Sequence, residues 1–284
     1  MSASTGAEVV AVVGHPVGHS LSPVIHNTAF AAAGLDWTMI AEDVAPEEGP
    51  KIVEWARSRG LRGLAVTMPH KVVVAESVDR LHESAMALRS VNTVVGIDSG
   101  LARGLSTDGA GFVNSLSAQG IALAGARVHL LGAGGAARSI VAALDAVDGC
   151  EVTISNRTHS AAEAAAELSG SAQPVVAESL PDAVAAANII VNTTSVGMGL
   201  DTDAGLVPFP VELIASHHVV ADIVYHPLTT ALLSSAAIRG AQTVDGLGML
   251  VHQAVLQCEA WTGFTPDPVA MRSAAEAELG RRSG

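Results

Sequence analysis

The sequence predicts an α/β protein built on parallel sheets and divided into two domains. Three observations carry that expectation. Between residues 8 and 66 short apolar runs alternate with helix-like stretches, the βαβ order that sets neighbouring strands parallel with crossover helices between them. A second series begins near residue 110 and carries Gly132-Ala133-Gly134-Gly135-Ala136-Ala137 directly after the strand-like residues 126–131, the strand, glycine turn and helix order of a dinucleotide-binding unit. A chain of 284 residues also fits two modest cores better than one.

Composition narrows the function classes. With 49% apolar and 3% aromatic residues, the chain is an alanine- and valine-rich soluble protein. A formal charge of −13 argues against nucleic acid or an anionic membrane as partner, since either needs a basic face, and points to a small-molecule substrate. No apolar run reaches the length of a bilayer span, and residues 1–10 lack the basic start and apolar stretch of a secretion signal, so a cytoplasmic location is expected. Cys150 and Cys258 lie far apart with no Cys-x-x-Cys, which argues against a disulfide framework or a thiolate metal site. The 11 histidines match no ligand spacing, so no metal is expected.

Residues 8–13 form a valine-rich strand running into the loop Gly14-His15-Pro16-Val17-Gly18-His19-Ser20-Leu21-Ser22-Pro23. Ser22 before Pro23 marks a helix start, with serine as cap and proline in the first turn; Ile25, Ala29 and Phe30 share one face of that helix, which ends at Gly34. The Ser20 and Ser22 hydroxyls, two residues apart on extended backbone, lie on the same side and suit a carboxylate or a diol; the plainer reading makes them a turn residue and a cap. Trp37–Asp43 is a second strand, residues 46–59 a helix, and residues 61–66 a short buried strand stopped by Pro69. Lys71 stands just beyond the carboxyl end of that strand, where open α/β sheets take ligands. Of 15 basic residues only Lys51 and Lys71 are lysine, so the chain uses arginine almost wherever a plain charge suffices. Arginine cannot release its proton, whereas lysine can. Lys71 reads either as a proton-transfer group or as a solvated lysine on a loop.

Residues 91–97 and 101–105 flank Asp98-Ser99-Gly100 and predict a hairpin. Asn92 opens its first strand, and Asp108 follows its second in Gly104-Leu105-Ser106-Thr107-Asp108-Gly109. Asp108 is either the cap of a helix over residues 110–119 or a carboxylate placed to orient Lys71.

In the second series, the Gly-x-Gly-x-x-Ala spacing after residues 126–131 offers helix-start amides to a pyrophosphate. The next strand, Glu151–Ser155, would end in an acidic residue if the cofactor were NAD, but it ends in Asn156-Arg157-Thr158. An arginine there pairs with a 2′-phosphate, which favours NADP; otherwise Arg157 is a solvated residue after a strand. Helices over residues 161–168 and 182–187 precede a strand at 189–191 and the polar loop Asn192-Thr193-Thr194-Ser195-Val196-Gly197-Met198. A strand over residues 219–224 stops at Tyr225-His226-Pro227, and an extended segment at 242–244 leads through Asp245-Gly246-Leu247-Gly248 into a helix over 249–261. Met249 and Gln253 share a face of that helix. A last helix over residues 268–279 is expected to pack on the first domain, with fraying from Arg281 onward.

Together these segments resemble the shikimate dehydrogenase family over nearly the whole chain. The similar motifs, in order, are His19-Ser20-Leu21-Ser22-Pro23, Val66-Thr67-Met68-Pro69-His70-Lys71, Val91-Asn92-Thr93, Ser106-Thr107-Asp108-Gly109, Gly132-Ala133-Gly134-Gly135-Ala136, Asn156-Arg157-Thr158, Asn192-Thr193-Thr194-Ser195-Val196-Gly197-Met198 and Met249-Leu250-Val251-His252-Gln253. The resemblance implies an N-terminal α/β substrate-binding domain over residues 1–109, completed by C-terminal helices in residues 241–284, with a Rossmann-like parallel-sheet NADP domain over residues 110–240 inserted between them. It implies that Ser20, Ser22, Thr67, Asn92 and Gln253 hold the shikimate carboxylate and hydroxyls, that Tyr225 lines the same cleft, and that Lys71 and Asp108 are the catalytic pair. Cofactor contacts would come from Gly132, Ala133, Gly134, Gly135, Ala136, Asn156, Arg157, Thr158, Thr193, Ser195, Val224, Gly246 and Met249. The implied reaction is reversible NADPH-dependent reduction of 3-dehydroshikimate to shikimate, in aromatic amino acid biosynthesis, by a monomer or homodimer.

Three positions depart from the family pattern. Ala65 replaces an asparagine in the strand before the lysine, and Ser106 replaces the asparagine before Thr107-Asp108. Each change removes an amide near the substrate, worth on the order of a kcal/mol in binding. Quinate or an amino analogue of shikimate is therefore an alternative ring substrate, a low-activity paralogue another reading, and a non-catalytic NADP- or metabolite-sensing protein the reading from a different class. Ala161 stands where relatives often carry a second basic residue for the 2′-phosphate.

Overall fold

The structure, a computed structural model, describes residues 7–199 and 205–283. The chain folds as two compact units, one from the residues through Thr107 together with those from Val251 onward, the other from Asp108–Leu250.

The first unit opens with β1 (Glu8–Gly14), α1 (Ser22–Ala32), β2 (Trp37–Asp43), α2 (Ile52–Ser58), β3 (Gly63–Val66), α3 (Lys71–Ser77), β4 (Arg80–Leu81), α4 (Glu83–Met86), β5 (Thr93–Val95) and β6 (Arg103–Leu105). The strands form one sheet in the order β2-β1-β3-β5-β6-β4. β1 runs parallel to β2 and β3, and β5 runs antiparallel to both β3 and β6. Reversing β5 has a direct consequence for the site. The carboxyl ends of β1, β3 and β6 and the amino end of β5 all reach the same edge of the sheet, the edge from which open α/β sheets present ligand-binding loops. Leu64, Val66 and Val94 pack with Ile52, Val53 and Ala56 of α2 to cover one face.

Local sequence explains where this unit departs from expectation. Ser22 is not the cap of α1: it is the first helical residue, and the Ser20 hydroxyl accepts its N–H at 3.2 Å. The helix expected over 46–59 is a 3-10 segment, Pro46–Lys51, followed by α2, because Pro50 has no N–H to give and Gly49 lacks helix propensity. Lys71 is not on a loop but is the first residue of α3, a helix that begins two residues after Pro69.

The second unit contains α5 (Asp108–Ala118), β7 (Arg127–Leu131), α6 (Gly135–Leu144), β8 (Glu151–Ser155), α7 (His159–Ala166), β9 (Ala172–Val175), α8 (Leu180–Ala186), β10 (Ile189–Asn192), β11 (Val219–Asp222), α9 (Ala231–Ile238) and β12 (Gln242–Val244). Its strands are all parallel in the order β12-β11-β10-β7-β8-β9. Counted from β7, that is the Rossmann order, in which the chain reverses direction between β7 and β10 and opens a crevice there. β9 was not foreseen: its four residues include Pro174, which a sheet tolerates only at an edge, and β9 is the edge. Leu130, Ile154 and Val191 of the sheet pack with Phe112, Leu116, Ile140 and Leu144 of α5 and α6.

Helix α10 (Gly246–Thr262), capped by the Asp245 carboxylate accepting from the Leu247 N–H at 3.1 Å, carries the chain back to the first unit. There α11 (Pro268–Ser283) packs on α1. Among the described residues, no helix is long and apolar enough to cross a membrane.

Candidate active site

The crevice of the second unit is a cavity of about 660 Å³, within the range of cofactor sites. The glycine turn forms its floor. Gly132, at φ +106°, lies in the region that L side chains avoid, and a β-carbon there would stand 2.7 Å from the Thr193 hydroxyl. Gly134, in the cavity lining, is the N-cap of α6, and no side chain caps the helix, so its first amides are left without a side-chain acceptor. Ser155, Asn156, Arg157 and Thr158 close one side, and Asn156 Nδ2 donates to the Thr158 carbonyl at 2.9 Å, shaping the turn that presents Arg157. Thr193, Thr194 and Ser195 close another side. Arg157 is the single charged residue in the lining among the described residues. A glycine cradle at an uncapped helix start and one guanidinium with no carboxylate beside it in the lining, among the described residues, suit a dinucleotide bearing an extra phosphate.

Gly135, Ala136, Val224, Gly246 and Met249 do not line this cavity; Met249 packs against the apolar core and Gly246 against the Ile223 carbonyl. Conversely, Thr194, Val196, Val175, Ala177, Leu180 and Pro208 line it without having been singled out.

In the first unit, the candidate substrate residues gather at the sheet edge defined above. Ser20 and Ser22 follow β1, and Thr67 follows β3, its methyl group so close to Gly14 that a β-carbon there would approach within 2.4 Å. The Val66 N–H donates to the Asn92 carbonyl at 2.7 Å, which sets Asn92 beside the end of β3. Asn92 is 3% exposed and is the centre of a buried polar cluster. Its Nδ2 donates to Thr107 Oγ1 at 2.9 Å and to Gln253 Oε1 at 3.4 Å, while its Oδ1 accepts from the Thr107 N–H at 2.9 Å and Thr93 Oγ1 at 2.8 Å. Gln253 on α10 thus comes to the same edge from the far end of the sequence.

Lys71, half-buried, is placed by the residue before it. His70 is 1% exposed and its Nε2 lies 2.7 Å from the Val44 carbonyl, tying the start of α3 to the end of β2. The neighbouring Asp43 grips the Ser20 loop: its carboxylate meets His15 Nδ1 at 2.6 Å and accepts the Val17 N–H at 3.1 Å, and these two bonds hold its pKa below the ordinary carboxylate value. Asp108, buried, opens α5 immediately after Thr107. Tyr225 is half-buried after β11.

Three family profiles match the chain along its length: "Shikimate dehydrogenase substrate binding domain" over residues 12–94, "Shikimate / quinate 5-dehydrogenase" over 115–204 and "Shikimate 5'-dehydrogenase C-terminal domain" over 246–276. A curated relative from Thermococcus kodakarensis, named shikimate dehydrogenase (NADP(+)), is 42% identical over 264 residues, covering 93% of this chain and 94% of its own. The chain belongs to the shikimate dehydrogenase family. A relative of the same name from Rubrobacter xylanophilus is 41% identical over 275 residues, covering 95% of this chain and 96% of its own. Among solved structures, the Thermus thermophilus shikimate 5-dehydrogenase in complex with NADP(H) and shikimate superposes with a TM-score of 0.86 at 37% identity, covering 95% of this chain and 99% of that one.

Within this family member, three buried polar groups escaped the sequence reading. Asp222, 1% exposed at the end of β11, accepts from Asn192 Nδ2 at 2.9 Å, the Val224 N–H at 3.1 Å and Thr230 Oγ1 at 2.8 Å, and burial raises its pKa. Gln257 and His26 lie buried within the first unit behind Asn92. The signal for all three existed only as polar residues in apolar surroundings, which sequence alone does not separate from surface residues. Cys150 and Cys258 are free and buried, and burial pushes the Cys258 thiol up to about 12. Among the described residues no histidine, cysteine and carboxylate group could hold a metal ion.

Proposed function

We propose that this protein is an NADP-dependent shikimate dehydrogenase, interconverting 3-dehydroshikimate and shikimate in the aromatic amino acid pathway. The observation that carries the reading is the 42% identity, across 93% of the chain, to a relative named for that activity. The cavity around Gly132 and Arg157 supports the cofactor, because the one charged residue in its lining among the described residues is a cation suited to a 2′-phosphate.

NADPH, when bound, supplies the hydride that reaches the ketone carbon. The chain's own groups do the rest. Lys71 donates a proton, or a charged hydrogen bond, to the ketone oxygen as negative charge builds there. Asp108 orients Lys71 and accepts from a ring hydroxyl. Ser20 and Ser22 take the carboxylate, and Thr67, Asn92, Tyr225 and Gln253 take the hydroxyls. The Asn92 cluster suits that task because its members are already fixed by each other, so little ordering entropy remains to be lost on binding. Ala65, buried on β3, and Ser106 leave fewer amides near the ring than the family pattern, which favours quinate as a second, slower substrate. Free, buried cysteines accord with a reducing, cytoplasmic setting, and the protein acts as a monomer or homodimer.

The test is steady-state kinetics of Lys71→Ala and Asp108→Asn. Turnover is expected to fall by about two to four powers of ten with KM for shikimate changed far less, the mark of a group used in the transition state. A rise in KM with kcat preserved would make the pair a simple clamp.

A further inference from the structure

Helix α10 presents three residues, each one turn beyond the last, to three consecutive residues of one strand segment. Gln253 Oε1 accepts from Asn92 Nδ2 at 3.4 Å. Gln257 Nε2 donates to the Asn92 carbonyl at 3.2 Å and to Thr93 Oγ1 at 3.0 Å. Trp261 Nε1 donates to the Val94 carbonyl at 3.0 Å. Spacing of four along a helix puts all three on one face.

Stability alone does not account for this stripe. Gln257 is 2% exposed, and among the described residues neither its Oε1 nor the Nε2 of the neighbouring His26, with which its side chain interacts, has a hydrogen bond of good geometry. A buried amide whose oxygen is met by no well-aligned donor costs more than an apolar side chain of the same shape would. Trp261 reaches the Val94 carbonyl only because residue 63 is glycine: a β-carbon on Gly63 would stand 2.3 Å from the indole nitrogen. His26, fully buried on α1, joins the same stripe. Its ring centroid lies 5.3 Å from that of Trp261, and its Nδ1 is 2.8 Å from the carbonyl of Ser22. The helix that carries Ser22 and the segment that runs from Asn92 into β5 are therefore referenced to the same two residues of α10. A slip of α10 by one residue, about 1.5 Å along and 100° around its axis, would break every one of these bonds and turn Gln253 away.

We propose that Gln257 and Trp261 are positioning residues: they fix the register of α10 against β5 and thereby hold Gln253 and Asn92 in the geometry that receives the ring substrate. This rests on the assignment of Asn92 and Gln253 to the substrate site.

The experiment is steady-state oxidation of shikimate by NADP+ with the full chain. Gln257→Met keeps the shape and removes the amide. KM for shikimate should rise about tenfold, equivalent to about 1.4 kcal/mol, while KM for NADP+ stays within about twofold. Trp261→Phe, which removes the indole N–H, should act in the same direction, and it carries the test if Gln257→Met does not fold. In a Gln253→Ala background the Gln257→Met effect should shrink well below tenfold, because part of it acts through Gln253. The proposal is overturned if the two variants leave KM for shikimate unchanged, raise both KM values alike, or multiply with Gln253→Ala. If Asn92→Ala and Gln253→Ala themselves leave KM for shikimate unchanged, the assignment of the substrate site fails first and the positioning role falls with it.

Discussion

His26 and His129 are each fully buried, and burial lowers each pKa from 6.5 to about 4. His129 sits between Thr153 Oγ1 at 2.9 Å and Ser155 Oγ at 3.0 Å, partners that serve a neutral ring. A histidine whose folded pKa is depressed binds its proton more readily when unfolded. Its contribution is therefore intact above the unfolded value and is lost as pH falls from about 6.5 toward 4, by up to about 3 kcal/mol per histidine. Thermal unfolding across that window should show Tm falling, and His129→Gln should flatten the fall. A Tm independent of pH between those limits would contradict the buried neutral rings. Arg157 makes the complementary prediction for binding: Arg157→Ala should raise KM for NADPH by about tenfold or more and leave KM for NADH nearly unchanged, because only one of the two carries the phosphate it pairs with. At this scale the sequence was readable wherever a residue's place followed from a local pattern. The place of Arg157 beside the cavity followed from the end of a strand, whereas Lys71 opens a helix where one reading put a loop. Gln257, His26 and Asp222 were not readable, since what distinguishes each is a partner far away in sequence.

Elements were legible in proportion to their apolar period and their flanking glycine or proline. Trp37–Asp43 and Glu151–Ser155 came out with their observed bounds, while the four-residue β9, with an internal proline, gave no period at all. The end of α11 shows the limit of reasoning from chain ends. Residues from Arg281 were expected to fray, yet α11 continues to Ser283, and Arg282 donates to the His19 carbonyl at 2.6 Å and to Glu278 at 2.7 Å. Removing the chain after Leu279 should therefore loosen the Ser20 loop and raise KM for shikimate several-fold, about 1 kcal/mol, with KM for NADP+ unaffected; equal KM values in the full and shortened chains would make that contact incidental. Gly63→Ala tests the docking of α10 from the strand side. A methyl group 2.3 Å from the Trp261 nitrogen and 2.7 Å from the Val94 carbonyl forces a backbone shift, at a cost of about 1–3 kcal/mol. Calorimetry should show a lower Tm, together with a higher KM for shikimate.

For the whole molecule, the strand order of the second unit was implicit in one glycine turn, because a phosphate-binding turn after a strand belongs to a sheet whose order reverses beside it. The discontinuity of the first unit was not implicit in any local pattern: it required the family resemblance, since no residue near 250 announces that the helix it starts will bond to Asn92. One unit carries Lys71 and the polar cluster around Asn92, the other Asp108 and the cavity that holds Arg157. The central claim, hydride transfer between NADP and shikimate, is tested most directly by following the nicotinamide absorbance of the purified protein with shikimate or quinate, each with NADP+ or NAD+. The account predicts turnover that is fastest with shikimate and NADP+. Absence of turnover above the protein-free background for every pair, with NADP+ still bound tightly, would contradict it and leave a dinucleotide-binding protein without the chemistry.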